Sequence, residues 1–157
     1  MRDGFVKVAA ATLNTKVADV EHNKWEIFRL IDETIENGAK IVVFPELCIT
    51  GYTCGDLFSQ DILLSQSAKA LEEIAAYTTG KDGLFFVGLP YVVCNKLYNV
   101  AAAVCDGEVI GMVTKTFLPN YSEFYEMRQF QPGPKNGRLD SVWGGRDSIW
   151  TADFICV

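Results

Sequence analysis

Three apolar segments without polar alternation, at residues 5–13, 41–44 and 84–93, set the fold class of this chain. Strands of this kind need cover on both faces, which is typical of sheets that have helices packed against them. Between the segments, residues 17–37 and about 61–77 carry apolar side chains at helical spacing. The alternation of strand and helix predicts an α/β domain built around a sheet.

The second half of the chain adds a hairpin to this pattern. Residues 97–104 and 108–114 are rich in β-formers and flank Asp106-Gly107, a strong signal for a tight hairpin turn. Residues 119–138 mix aromatic and polar side chains and predict a loop or short helix, and residues 148–157 predict a further strand. Crossover units followed by a hairpin predict a mixed sheet.

Composition excludes several classes of partner. The 157 residues carry a net charge of −6 and no basic run, which disfavours nucleic acid and anionic membrane surfaces as partners. No apolar run is long enough to span a bilayer, and the N-terminus lacks the apolar region of a secretory signal. Five cysteines at irregular spacing, with a single histidine, predict reduced thiols in a cytoplasmic protein and no metal site.

Three groups of residues have the chemistry of a reactive site. Glu46 follows the buried strand 41–44, at the carboxyl end where ligands bind in α/β sheets, and a carboxylate there can act as a general base. Lys115 follows the hairpin and could stabilise an oxyanion. Residues 121–130 combine carboxylates, aromatics and an arginine, as the wall of a polar pocket does. Taken singly, each group also fits a solvated strand end or a loop that packs on its own aromatics.

The three groups occur in the order found in one known family. Phe44-Pro45-Glu46 and Lys115-Thr116-Phe117-Leu118-Pro119 resemble the first two motifs of the nitrilase superfamily of carbon–nitrogen hydrolases. The stretches Pro45-Glu46-Leu47-Cys48-Ile49-Thr50-Gly51-Tyr52, Gly55-Asp56-Leu57-Phe58 and Tyr121-Ser122-Glu123-Phe124-Tyr125-Glu126-Met127-Arg128-Gln129-Phe130 are similar to glutamine-dependent NAD synthetases within it. The resemblance covers essentially the whole chain.

The resemblance implies a fold and a set of roles. The fold is part of a nitrilase-like α-β-β-α sandwich, with a mixed sheet, helices on one face and an apolar second face. Glu46 is the general base, Lys115 stabilises the oxyanion, and Glu123 is the auxiliary glutamate that orients Lys115 or the substrate. The residues that would bind the substrate, glutamine, are Tyr52, Tyr121 and Phe124.

The family's nucleophilic cysteine is expected beyond this chain. Cys156 is the alternative, but the acidic residues of the family's cysteine motif do not follow it. Residues 1–157 are therefore expected to be the N-terminal portion of a glutaminase domain. The resemblance further implies a synthetase domain in the same polypeptide, which would hold ATP and Mg²⁺, and a homo-oligomer. The alternatives are a stand-alone amidase or carbamoylase of the superfamily, and a non-catalytic assembly module.

Overall fold

The computed structural model describes residues 4–134, 138–143 and 146–151, which form one mixed sheet flanked by helices. The seven strands are ordered β1-β2-β3-β4-β5-β7-β6. Their bounds are β1 Val8–Ala10, β2 Ile41–Val43, β3 Leu84–Val93, β4 Lys96–Cys105, β5 Glu108–Thr114, β6 Arg138–Trp143 and β7 Arg146–Thr151. β1, β2 and β3 are parallel, the β3-β4-β5 meander is antiparallel, and β7 pairs parallel with β5 and antiparallel with β6. The predicted α/β class and mixed sheet are confirmed.

Helix α1, Val20–Glu36, has an apolar face toward the sheet and ends close to the predicted positions. Asp19 caps it, because the Asp19 side chain accepts a hydrogen bond from the backbone N–H of His22 at 3.1 Å. Gly38 follows the helix with a φ of 80°, a conformation in which a glycine is unstrained.

The second helical region consists of two elements. A 3₁₀ segment, Tyr52–Ser59, precedes helix α2, Asp61–Tyr77, and Gln60 between them is extended. Inside the 3₁₀ segment Gly55 has a φ of 55°, which interrupts any continuous helix. The segment places Tyr52 close to the carboxyl end of β2, where it enters the site described below.

The predicted hairpin is confirmed; β4 is one residue longer at each end than expected, and β5 has the expected bounds. Asp106 and Gly107 both have positive φ, 45° and 84°, as the two central residues of a type I′ turn require. The turn fixes the register of β4 against β5, and that register brings the start of β4 beside the end of β5.

One face of the sheet forms the core together with α1 and α2. Alternate strand residues are fully buried there and belong to the same cluster as the buried side chains of both helices. In register order they include Val42, Phe85 and Val104, then Val87, Ala102 and Met112, then Leu89 and Val100. Burial of these apolar side chains supplies the main stabilisation of the fold.

The opposite face of the sheet is apolar and partly open to solvent. Val8 is 65% exposed and Val43 is 48% exposed. Most of their neighbours across the register are also uncharged, and Glu108, opposite Cys105, is the charged exception. The uncharged residues are Ala10, Ile41, Leu84, Phe86, Gly88, Ala101, Ala103, Cys105, Gly111 and Val113. The expectation that the helices α1 and α2 cover one face and leave an apolar second face is confirmed.

Three boundaries differ from the sequence predictions. β1 is limited to three residues, because its parallel pairing with the short β2 extends no further. β6 lies partly in the segment predicted as a loop, where α3, Glu126–Gln129, is the short helix. β7 overlaps the predicted last strand, whose remainder, with Cys156, lies outside the described residues. Within the described ranges, no helix has the length and apolar character needed to cross a membrane.

Candidate active site

Glu46 lies in a tight loop that directly follows β2. The backbone N–H of Ile49 donates to the carbonyl of Gly88 on β3 at 3.3 Å, and that of Gly51 donates to the carbonyl of Leu47 at 2.7 Å. The buried Asn23 of α1 adds a hydrogen bond from Nδ2 to the carbonyl of Ile49 at 3.0 Å. Both the sheet and a helix therefore fix the position of the loop.

The loop approaches β3 so closely that only glycine fits opposite it. A Cβ added to Gly88 would lie 2.5 Å from the backbone nitrogen of Leu47 and 2.7 Å from the carbonyl oxygen of Pro45. Leu47 itself has a φ of 51°, which is strained for a branched side chain. The close packing of the loop on Gly88 and the strained backbone of Leu47 together fix the backbone at Glu46 and so set the direction of its side chain.

Lys115 follows β5, and its ammonium meets the Glu46 carboxylate. The two atoms Nζ and Oε1 are 2.7 Å apart. The backbone N–H of Lys115 donates to the carbonyl of Asn99 on β4 at 2.8 Å, and its carbonyl accepts from Gly133 at 2.8 Å. The structure thus brings together the predicted base and the predicted oxyanion-stabilising group. Their separation is well within the distance of roughly 4–6 Å at which opposite charges perturb each other.

A second carboxylate binds the same ammonium. Glu126, the first residue of α3, is only 4% exposed, and its Oε1 lies 2.9 Å from Lys115 Nζ. The hydroxyl of Tyr52 donates to the same oxygen at 2.7 Å. Glu126 Oε2 is buried and has no hydrogen-bond partner among the described residues. The buried carboxylate anchors Lys115 from the side opposite Glu46.

This arrangement keeps the lysine charged. Burial lowers the pKa of Lys115, but hydrogen bonds and charge interactions with Glu46 and Glu126 outweigh it, so the pKa is raised above its ordinary value. Burial, and then the hydrogen bond to Glu126, raise the pKa of the Tyr52 phenol. Near neutral pH the site therefore contains an ammonium and a neutral phenol, both of which donate hydrogen bonds.

Asn99 completes the contacts of Glu46. Its side chain is buried, and Nδ2 donates a short hydrogen bond to Glu46 Oε1. The side chain of Glu46 is 36% exposed, whereas that of Lys115 is 16% exposed. Phe44 and Leu47, the apolar neighbours of Glu46 in sequence, are buried in the core.

The structure places Glu123 apart from the ion pairs of Lys115. This residue was expected to orient Lys115 or the substrate, but the carboxylate that contacts Lys115 is Glu126. Glu123 is exposed on the preceding turn, where hydrogen bonding to Ser122 lowers the pKa of its carboxyl. Glu126 begins a helical turn and is carried inward by it, whereas Glu123 precedes that turn. A role for Glu123 toward the substrate stays a prediction.

A cleft of about 340 Å³ adjoins the site. Its walls include Tyr52, Glu123 and Glu126. Tyr121 and Phe124 lie on the same loop but outside this lining, and they pack edge to face with ring centroids 5.7 Å apart. Tyr52 thus lies at the cleft, and binding of substrate by Tyr52, Tyr121 and Phe124 stays a prediction.

None of the four described cysteines is placed to act as a nucleophile beside Glu46. Burial raises the pKa of the Cys48 thiol to about 12, and burial also raises that of Cys54. Cys105 lies six positions from Asn99 along β4, which is about 20 Å at the rise of a strand. Cys94, in the turn before β4, is on the order of 15 Å away on the other side.

Two residues of the site carried sequence signals that could have indicated them. Asn99 is a polar residue within the otherwise apolar run 97–105, and a buried amide needs a partner. Glu126 stands four residues before Phe130, which is 2% exposed, so both share the inward face of one helical turn. Among the described residues, no three His, Cys, Asp or Glu side chains are grouped to hold a metal ion.

This chain is similar in sequence and in fold to several known proteins. A glutamine-dependent NAD(+) synthetase of Aquifex aeolicus is 43% identical over 129 residues, which cover 82% of this chain and 22% of that protein. The structure of a glutamine-dependent NAD(+) synthetase from Cytophaga hutchinsonii superposes with a TM-score of 0.85 at 33% identity, over 90% of this chain and 24% of that one. An amidase from Nesterenkonia sp., 23% identical with a TM-score of 0.72 over 94% of this chain and 56% of its own, shares the fold.

This chain spans 22% of the length of the curated relatives that it matches, the Aquifex synthetase among them. The model of the carbon-nitrogen hydrolase family matches residues 7–148, which include all three groups predicted from the sequence. The predicted family resemblance is therefore confirmed, and the chain belongs to the carbon-nitrogen hydrolase family.

Proposed function

We propose that this chain is the N-terminal portion of a glutamine amidohydrolase domain that supplies ammonia to an NAD synthetase. The observation that carries the proposal is the contact of 2.7 Å between Glu46 and Lys115, at the carboxyl end of the sheet. The Aquifex relative, 43% identical, is named as a glutamine-dependent NAD(+) synthetase. The ammonia would amidate nicotinic acid adenine dinucleotide in a synthetase domain of the same polypeptide.

In the proposed mechanism Glu46 takes the proton of a cysteine thiol. The thiolate attacks the side-chain amide carbon of glutamine, and the ammonium of Lys115 stabilises the oxyanion of the tetrahedral intermediate. The carbon–nitrogen bond then breaks, ammonia leaves with a proton returned by Glu46, and a thioester remains. Water attacks the thioester and releases glutamate and the thiol.

The nucleophile lies outside the described residues in this proposal. It either follows residue 157 or is Cys156, and the distances of Cys94 and Cys105 from Asn99 argue against those two. The 157-residue chain by itself is expected to release no ammonia from glutamine, and activity above the uncatalysed rate would point to Cys156.

The substrate is proposed to enter through the cleft beside Tyr52 and Glu126. Tyr52 lines that cleft, and we expect Tyr121 and Phe124 to contact the bound glutamine from the adjoining loop. The apolar second face of the sheet would be covered in the complete protein or by another subunit of a homo-oligomer. ATP and Mg²⁺ would act in the synthetase domain, and no step of glutamine hydrolysis is assigned to them.

The proposal is tested with the protein encoded by the complete reading frame that contains this chain. Lys115→Ala removes the oxyanion partner and is expected to slow glutamine hydrolysis by about 10²- to 10³-fold. Synthesis driven by free ammonium should be unchanged. Lys96→Ala, at an exposed position of β4, is the matched control and should retain both activities.

Two outcomes would contradict the proposal. Faster hydrolysis of simple amides or carbamoyl compounds than of glutamine would favour a stand-alone amidase or carbamoylase. Absence of hydrolysis with every amide tested, in a protein that still assembles, would favour a non-catalytic module. The Nesterenkonia amidase supports the fold without favouring either alternative, because it is only 23% identical.

A further inference from the structure

Asn99 contacts both charged partners of the site from a single position in β4. Its Nδ2 donates to Glu46 Oε1, and its backbone carbonyl accepts from the backbone N–H of Lys115 at 2.8 Å. The residue is 4% exposed, next to the buried Val100 in an apolar strand. A buried amide is costly unless it is hydrogen-bonded, so the contact with Glu46 is what makes asparagine tolerable there.

The chemistry of the two groups fixes the direction of the hydrogen bond. An ionised carboxylate has only acceptors, so Asn99 must turn its NH₂ group, rather than its oxygen, toward Glu46. Lys115 Nζ donates to the same oxygen at 2.7 Å. A carboxylate oxygen has two lone pairs in its plane, and these two donors occupy both of them at Oε1.

We infer that Asn99 is a positioning residue for the general base, which reserves Oε1 of Glu46 and leaves Oε2 as the atom that takes the thiol proton. The inference rests on the proposed amide hydrolysis. With both lone pairs of Oε1 engaged, a proton can be accepted at Oε2 without breaking either contact. The carboxylate is also held in one plane, so Oε2 faces one direction throughout the reaction.

Neither Lys115 nor Tyr52 can position the Glu46 carboxylate alone. Lys115 is shared with Glu126, which draws the ammonium toward α3. Tyr52 donates to Glu126 and not to Glu46. The amide of Asn99 is therefore a neutral donor to Glu46 that belongs to a strand of the sheet rather than to a loop.

The test compares Asn99→Leu and Asn99→Asp with the wild type in the protein from the complete reading frame. Leucine has a similar volume and no donor, and aspartate has the same shape with no donor when ionised. The loss of a hydrogen bond to a charged group predicts a decrease in kcat for glutamine of about 10- to 100-fold, with KM changed less than about threefold. Synthesis driven by free ammonium reports on folding and should be retained, as in the control Lys96→Gln.

The division of the effect between kcat and KM separates positioning from a purely structural role. A misplaced general base lowers kcat for glutamine, whereas KM for glutamine and the ammonium-driven rate stay close to those of the wild type. Asn99→Asp should show the same division. A structural defect would lower the glutamine-driven and the ammonium-driven rates together.

A folded Asn99→Leu protein with wild-type kcat for glutamine would overturn the inference. If leucine abolishes ammonium-driven synthesis as well, Asn99→Asp decides by the same criteria. Failure of the proposed function is distinguishable, because the wild type would then prefer another amide. The effect of Asn99 on Glu46 would still be measured with that amide.

Discussion

The buried Glu126, rather than the exposed Glu123, is predicted to support catalysis, and Glu126→Gln tests this. Oε1 of Glu126 accepts from Lys115 at 2.9 Å and from Tyr52 at 2.7 Å. Glutamine keeps the length of the side chain and an acceptor oxygen but removes the charge. The substitution therefore weakens two hydrogen bonds without opening a cavity.

The two contacts set the size of the expected effect. A hydrogen bond to a charged group contributes about 1.5–3 kcal/mol and a neutral one about 0.5–1.5 kcal/mol, so two weakened bonds cost roughly 2–3 kcal/mol. A bare charge interaction at 2.9 Å with an effective dielectric constant of 20 would give about 6 kcal/mol, an upper bound, because Lys115 keeps Glu46 as a partner. A loss of roughly 2–3 kcal/mol corresponds to a decrease in kcat of roughly 30- to 150-fold.

The assay measures glutamine hydrolysis at saturating substrate for Glu126→Gln and Glu123→Gln, with the free energy of unfolding measured for each. Glu123→Gln leaves the contacts of Lys115 intact, so its effect should fall on KM, if anywhere, because Glu123 lines the cleft. The free energy of unfolding of Glu126→Gln should fall by up to roughly 2–3 kcal/mol, because the same two hydrogen bonds are present in the folded enzyme. A large loss of kcat in Glu123→Gln together with an unaffected Glu126→Gln would refute this reasoning.

Three further predictions concern the groups around the site. Gly88→Ala places a Cβ 2.5 Å from the nitrogen of Leu47, so unfolding in urea should show a loss of about 1–3 kcal/mol, and an unchanged midpoint would contradict the close approach. Burial raises the pKa of Cys48 to about 12, so alkylation of the native protein at pH 8 should spare Cys48 and modify the exposed Cys94; equal labelling would contradict the burial. The raised pKa of Lys115 stabilises the fold below its unfolded value of about 10.4, and this contribution is lost as the pH rises through the folded value. The difference in unfolding free energy between wild type and Lys115→Met should therefore shrink above about pH 10.4, and a constant difference would contradict the pairing.

Periodicity and turn chemistry were sufficient to predict most of the fold. The apolar runs, the helical spacing of α1 and the Asp106-Gly107 turn are local signals, and the structure confirms each of them. The strand β6 was missed because it lies in a segment without apolar alternation, where pairing with β7 decides the conformation. The second helix was predicted with the bounds of α2, but the 3₁₀ segment before it was not, since Gly55 acts through backbone conformation rather than through hydrophobicity.

The site was predictable where a residue follows a strand and hidden where a turn decides its direction. Glu46 and Lys115 stand at strand ends, so the topology alone brings them to one edge of the sheet. The choice between Glu123 and Glu126 depends on whether a helical turn starts at residue 126, and four residues are too few for a clear periodic signal. Asn99 required the register of the hairpin, because only its pairing shows that it lies beside Lys115.

The central claim is that Glu46 serves glutamine hydrolysis and nothing else in the protein from the complete reading frame. The most direct measurement is the rate of NAD formation by Glu46→Gln, with glutamine and with free ammonium as the nitrogen donor. An amide cannot accept the thiol proton, so the glutamine-driven rate should be abolished and the ammonium-driven rate should stay close to that of the wild type. An equal loss with both donors would mean that Glu46 holds the structure together and does not perform the chemistry.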